Sequence, residues 1–211
     1  MNTFDFGREA EKLLTWLAGY GTDPEGGTSR FLYKPDWVNA QQAIQKYMQD
    51  EGFSATFDAT GNLFARLDGT EYPQETILTG SHIDTVKNGG MYDGQFGIVA
   101  GIIALRYLKK TYGNPLRNIE VVSIAEEEGS RFPYAFWGAK NILGLAKRED
   151  VENITDFDGI FFVEAMRKAG FRFRTAHDII RDDFKAFVEL HIEQGGVLER
   201  EGKSVGVVEH I

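Results

Sequence analysis

Between Glu75 and Gly129 the chain reads strand, helix, strand, and that order restricts the fold more than any other feature. "ETILTGSH" is a short apolar run with a β-branched centre. "QFGIVAGIIALRYLKKTYG" is a long apolar helix closed by lysines and Gly113, and "IEVVSIAEEEG" is a second buried strand. Two buried strands joined by a helix call for parallel pairing, with helices covering the sheet. "KAFVELHIEQG" reads as a third strand of the same kind and "KSVGVVEHI" as a fourth. Upstream, "EAEKLLTWLAGY" has helical periodicity, with Leu13, Leu14, Trp16 and Leu17 on one side. "WVNAQQAIQKYMQDEG" predicts a helix with Asp36 as N-cap and Gly52 past its end. "SATFDATGNLFARLDG" predicts a hairpin turning at Gly61-Asn62, and "FFVEAMRKAG" a further helix. The expected fold is α/β: three layers, with a central mixed, mostly parallel sheet flanked by helices.

Composition narrows the partners. The 211 residues are 42% hydrophobic, enough for a sizeable core. The net charge of -9 argues against nucleic acid and anionic membrane as partners. Cysteine is absent, so disulfides are excluded and a reducing compartment is suitable. The N-terminal "MNTFDFGREAEKLL" lacks the apolar run of a signal peptide, and no stretch approaches the ~18 apolar residues of a membrane span. A cytoplasmic location is expected.

The three central strands end alike. The first ends at His82 and Asp84, the second at Glu126, Glu127 and Glu128, and the third carries His191, Glu193 and Gln194. In open α/β sheets, ligands bind at the carboxyl ends of the strands, so one fold brings these groups to one edge. The segment "TGSHIDTVKNGGMYDGQFG" adds five glycines and places Asp93 at the start of the long helix, where the dipole favours a carboxylate. Taken singly, each feature is ordinary. A lone strand-end His is more often structural, and a run of Glu is usually solvated. Their coincidence points to a metal site, and two histidines with several carboxylates suit zinc or manganese. The surplus of carboxylates suggests two metals sharing one bridging Asp.

"GSHIDTVKNGGMYDGQFG", "AEEEGSRFPYAFWGAKNILG" and "AFVELHIEQGGVLE" resemble the dinuclear-metal ureido hydrolases of the zinc aminopeptidase and aminoacylase superfamily. The resemblance implies metal-dependent cleavage of a linear ureido C–N bond in a small-molecule substrate. It implies two divalent ions, Mn²⁺ or Zn²⁺, in the full enzyme. His82 and His191 then look like ligands of the first metal, Asp93 like the bridge, and Glu128 like a ligand of the second. Glu127 looks like the general base, and Asp84 like the carboxylate that orients His82. Gln194 is expected to touch substrate, and the bond after Asp93 to be cis. His177 and His210 match no motif of the family.

The resemblance also implies a protein longer than these 211 residues. Residues 1–211 correspond to the N-terminal part of the metal-binding catalytic domain. An inserted dimerisation domain and the C-terminal part of the catalytic domain would complete it, with a homodimer expected of the full enzyme. At most one metal is then expected to bind tightly to this chain. Three readings stay open: a ureido hydrolase, a non-catalytic metal-binding fragment, and a peptidase of the same superfamily.

Overall fold

A computed structural model of the chain describes residues 4–209, which leaves His210 outside the described residues. Helix α1, Phe6–Ala18, starts where the Asp5 side chain accepts the Arg8 amide, and it buries Leu13, Leu14 and Leu17. Helix α2, Pro35–Asp50, corrects the expected cap. Lys34 is the N-cap and Asp36 lies in the first turn, because Pro35 takes the first helical position, where its fixed φ suits and its missing N–H costs nothing. Gly52 follows the helix end at φ +80, as expected.

Strands β1, Ser54–Phe57, and β2, Leu63–Leu67, form the hairpin, with Ser54 opposite Arg66 and Phe57 opposite Leu63. The connection is wider than a two-residue turn. One Asp58 oxygen accepts the amides of Thr60, Gly61 and Asn62. Strand β3, Tyr72–His82, leads into α3, Gln95–Tyr112, which returns to β4, Arg117–Ile124. Short helices α4, Trp137–Ile142, and α5, Phe162–Lys168, precede β5, Phe184–Val188, and α6 covers Val197–Glu201.

The sheet runs β1-β2-β4-β3-β5. Its pairings are antiparallel between β1 and β2 and between β2 and β4, and parallel between β4 and β3 and between β3 and β5. The sheet is therefore mixed, and the parallel pairings are gathered in the half that carries the polar strand ends. On one face Leu63, Ala65 and Val121 pack under Trp37, Ile44 and Met48 of α2 and Ile98, Val99 and Ile102 of α3. The other face buries the smaller cluster Leu78, Val122 and Ile142. There Glu120 is paired with Arg66 at 3.2 Å and Arg181 at 3.0 Å.

Among the described residues, the fourth strand expected from "KSVGVVEHI" does not form. Residues 203–209 have no strand geometry, and Val205, Val207 and Val208 are exposed. Alternating valines make a strand only where another edge accepts their backbone, and none of the described strands pairs with them. No helix among the described residues is long and apolar enough to cross a membrane.

Candidate metal centre

Parallel pairing puts the three strand ends at one edge. His82 is in register with Ile124, and Thr79 with Val188, so residues 82–84, 126–128 and 189–194 leave the sheet side by side. The ring of His82 is buried, and its Nδ1 lies 2.9 Å from the carbonyl of Asp84. A carbonyl only accepts, so Nδ1 carries the proton and the Nε2 lone pair faces the site. From Nε2, Asp93 Oδ1 is 4.0 Å away and Glu127 Oε2 3.8 Å. His191 is arranged alike: its Nδ1 is 3.0 Å from the Ile192 carbonyl, and its Nε2 is 3.4 Å from Asp93 Oδ1. The two imidazoles are nearly parallel, with centroids 6.1 Å apart.

These side chains make two donor groups that share His82. The ligand atoms of His82, Asp93 and His191 lie within 4.8 Å of one another, and so do those of His82, Glu127 and Glu128. The first group coincides with the first-metal set implied by the sequence. Burial raises the carboxyls of Glu127 and Glu128 above their ordinary values. His82 opposes this, while Asp93 and the other acids around them add to it. Burial alone would lower the His82 ring, but Asp84 and Glu127 outweigh it and the net direction is up. Crowded acids facing two imidazole lone pairs form a nitrogen and oxygen donor set that a divalent cation would relieve.

The triple glutamate is not a solvated run. Glu126 is fully buried and left-handed, at φ +60, and one of its carboxylate oxygens accepts the Ser130 amide. Its carboxyl is held well above the ordinary range by burial and by Asp84. Strand β4 has already ended at Ile124, so Glu127 and Glu128 lie in a turn. Both reach the same group with His82, rather than alternating to opposite sides as strand neighbours would.

Asp84 is also placed differently from expectation. Its carboxylate is 3.6 Å from His82 Nδ1, too far for a hydrogen bond, and its main-chain carbonyl orients the ring instead. The carboxylate accepts the amides of Glu127 at 2.9 Å and Glu128 at 3.0 Å, and so fixes the turn that aims both. Gln194 donates to Asp93 Oδ2 at 2.9 Å. His177 lies elsewhere, lining a cavity with Thr56, Arg66 and Arg181. Ser81 has no signal in the sequence, yet its hydroxyl donates to Glu189 at 2.5 Å and ties the end of β3 to the segment before His191. Only the β3–β5 register reveals that pair.

The turn into α3 depends on one glycine. The Asp93–Gly94 bond is trans, as are all peptide bonds among the described residues, which corrects the cis expectation. Gly94 makes the turn at φ +64, where a Cβ would stand 2.5 Å from both Nε2 and the carbonyl oxygen of His82.

Residues 78–209 match Peptidase family M20/M25/M40. The chain belongs to this family. Within it, allantoate amidohydrolase of Escherichia coli (strain K12) is 56% identical over 206 residues, which cover 98% of this chain and 50% of that protein. Allantoate amidohydrolase of Bacillus subtilis (strain 168) is 46% identical over 198 residues, 94% of this chain and 48% of the relative. The crystal structure of a hydantoinase/carbamoylase family amidase from Burkholderia ambifaria superposes with a TM-score of 0.81 at 33% identity, over 94% of this chain and 47% of that one. AtUAH in complex with (S)-hydroxyglycine gives a TM-score of 0.81 at 31% identity, over 95% and 49%. This M20-family chain therefore spans about half the length of the curated relatives it matches.

Proposed function

We propose that this chain is the metal-binding part of an allantoate amidohydrolase, a metal-dependent hydrolase of a linear ureido C–N bond. The convergence of His82, Asp93 and His191 within 4.8 Å, with Glu127 beside them, carries the reading. The segments "GTEYPQE", "DGQFG" and "EEEGSRFPYAFWGAKNI" favour allantoate over N-carbamoyl amino acids as substrate. His82, His191 and Asp93 would hold one divalent ion, and Asp93 with Glu128 part of a second site. Ions bound there supply Lewis-acid polarisation of a carbonyl and make water more acidic.

The residues of the chain do the rest. Glu127 takes a proton from the attacking water as the C–O bond forms, and returns it to the ureido nitrogen as the C–N bond breaks. Its raised carboxyl suits a base working near neutral pH. Asp84 keeps Glu127 and Glu128 aimed by holding both amides. Gln194 fixes the rotation of Asp93 through its hydrogen bond, which supports a positioning role beside the substrate contact read from the sequence. This chain spans about half the length of its relatives, and a further ligand for the second site and more of the substrate grip would come from outside that span.

The test is turnover with Mn²⁺ or Zn²⁺ on allantoate and on N-carbamoyl amino acids. It compares this chain with one continued to the length of its relatives. The longer chain is expected to prefer allantoate, and this chain to bind metal without turnover. A preference of the longer chain for N-carbamoyl amino acids would reassign the substrate.

A further inference from the structure

Arg30, Asp84 and Glu126 are all wholly buried, and only Arg30 is a base. It comes from the loop before α2, and among the described residues its guanidinium donates only to main-chain carbonyls. Nε donates to Ile83 at 2.7 Å, and Nη1 donates to Leu17 at 2.8 Å and Tyr20 at 3.3 Å. Among the described residues, Nη2 has no hydrogen-bond partner, and neither has Oδ1 of Asp84. The backbone of Arg30 grips the same turn from two further points. Its amide donates to Thr85 Oγ1 at 2.9 Å, and its carbonyl accepts the Thr85 amide at 3.1 Å. Thus one residue holds Ile83 and Thr85, on either side of Asp84.

The carbonyls account for the hydrogen bonds but not for the charge. An uncompensated guanidinium is costly to bury, and a neutral amide could satisfy carbonyls without that cost. Burial lowers Arg30 to about 10, still charged at neutral pH, and Asp84 is the foremost acid opposing that shift. Asp84 in turn holds the Glu127 and Glu128 amides and, through its carbonyl, the His82 ring. We propose that Arg30 is a positioning residue of the metal centre: its side chain and backbone clamp the Ile83–Thr85 turn from which Asp84 aims His82, Glu127 and Glu128. The inference rests on the metal-centre reading.

Calorimetric titration of this chain with Mn²⁺ alone tests it, with circular dichroism and thermal unfolding to follow the fold. Arg30→Lys keeps a charge but loses the forked donation. It is expected to weaken Mn²⁺ binding about 10- to 100-fold, as loss of a partner behind a metal ligand does, while helical content is kept. Asp84→Asn is expected to weaken it similarly, and adding Arg30→Lys to Asp84→Asn should cost less than about twofold more, since both act along one path. Thr85→Val removes the hydroxyl that receives the Arg30 amide and leaves the guanidinium, so it reads the same clamp if the Arg30 variants do not fold. A several-fold loss of affinity is expected there, again absent beside Asp84→Asn. Mn²⁺ affinity equal to wild type in folded Arg30→Lys, with only the melting temperature lowered, would make Arg30 a helix-end brace and overturn the proposal. So would independent, multiplying losses in the double variants, or unchanged affinity in Thr85→Val. A wild-type chain that binds no Mn²⁺ would overturn the metal centre itself, and this inference with it.

Discussion

The two histidines that face Asp93 are held in contrasting ways. His82 ends a strand in the middle of the parallel half of the sheet, and its side chain is 4% exposed. Behind it stand Asp84 and the Arg30 clamp. His191 lies three residues beyond β5, a strand at the sheet edge whose residues are mostly exposed, and its side chain is 30% exposed. Its Nδ1 is hydrogen-bonded to the carbonyl of the next residue, Ile192. A sheet centre positions a ligand by burial on all sides, whereas an edge positions it only as well as the edge is covered. One arm of the site is thus held in the sheet interior, and the other stands at its open edge.

The sharpest test of that contrast asks whether the well-held arm also carries the chemistry. In a chain continued to the length of its relatives, Glu127→Gln should lower turnover about 10²–10⁴-fold while metal stays bound, because the amide cannot take the proton. Glu128→Gln should instead lower metal content, a neutral amide being a poor ligand beside carboxylates. Metal analysis beside steady-state rates separates the two, and the reverse pattern would exchange their roles.

Metal affinity then tests the arms against each other. His82 belongs to both donor groups and His191 to one. His82→Ala should weaken Mn²⁺ binding by calorimetry more than His191→Ala does, and both by more than the ~10–100-fold typical of a supporting residue. Equal losses would show the edge arm to be as well organised as the central one.

The smallest expected effect concerns how β5 is moored. Asp183 precedes β5 and meets Arg181 and the Thr76 hydroxyl, and the Arg181 hydrogen bonds hold its carboxyl down at about 2 against an ordinary 3.8. A carboxyl lowered in the folded state stabilises fully above its unfolded value. That stabilisation should therefore fade as pH falls from about 4 towards 2. It should amount to about 1 kcal/mol after solvent screening, and Asp183→Asn should remove this part of the pH dependence in urea titrations.

Much of this was legible in sequence. The order of strands and helices followed from periodicity, and the ligand types at three strand ends pointed to the edge where His82, Asp93 and His191 converge. What stayed hidden depends on the backbone and on contacts distant in sequence. A run of glutamates does not reveal that Glu126 turns left-handed and inward while Glu127 and Glu128 turn together towards His82. Nor does a His-x-Asp spacing reveal that the carbonyl of Asp84 holds the ring and its carboxylate the opposite turn. Arg30 lies in a stretch of Gly, Thr and Ser that reads as loop, 53 residues from the Ile83 carbonyl it holds. The valines of 203–209 misled because alternation signals a strand only when a partner edge is present.

Gly94 bears on how such a site tolerates change. It has no side-chain functional group. Yet any side chain there would have to occupy the volume of the His82 ring. Gly90, four positions earlier in the same segment, would meet nothing within 4 Å. In a library carrying every amino acid at each position of this segment, position 90 should accept broad replacement. Position 94 should return glycine alone, as strictly as position 82 returns histidine.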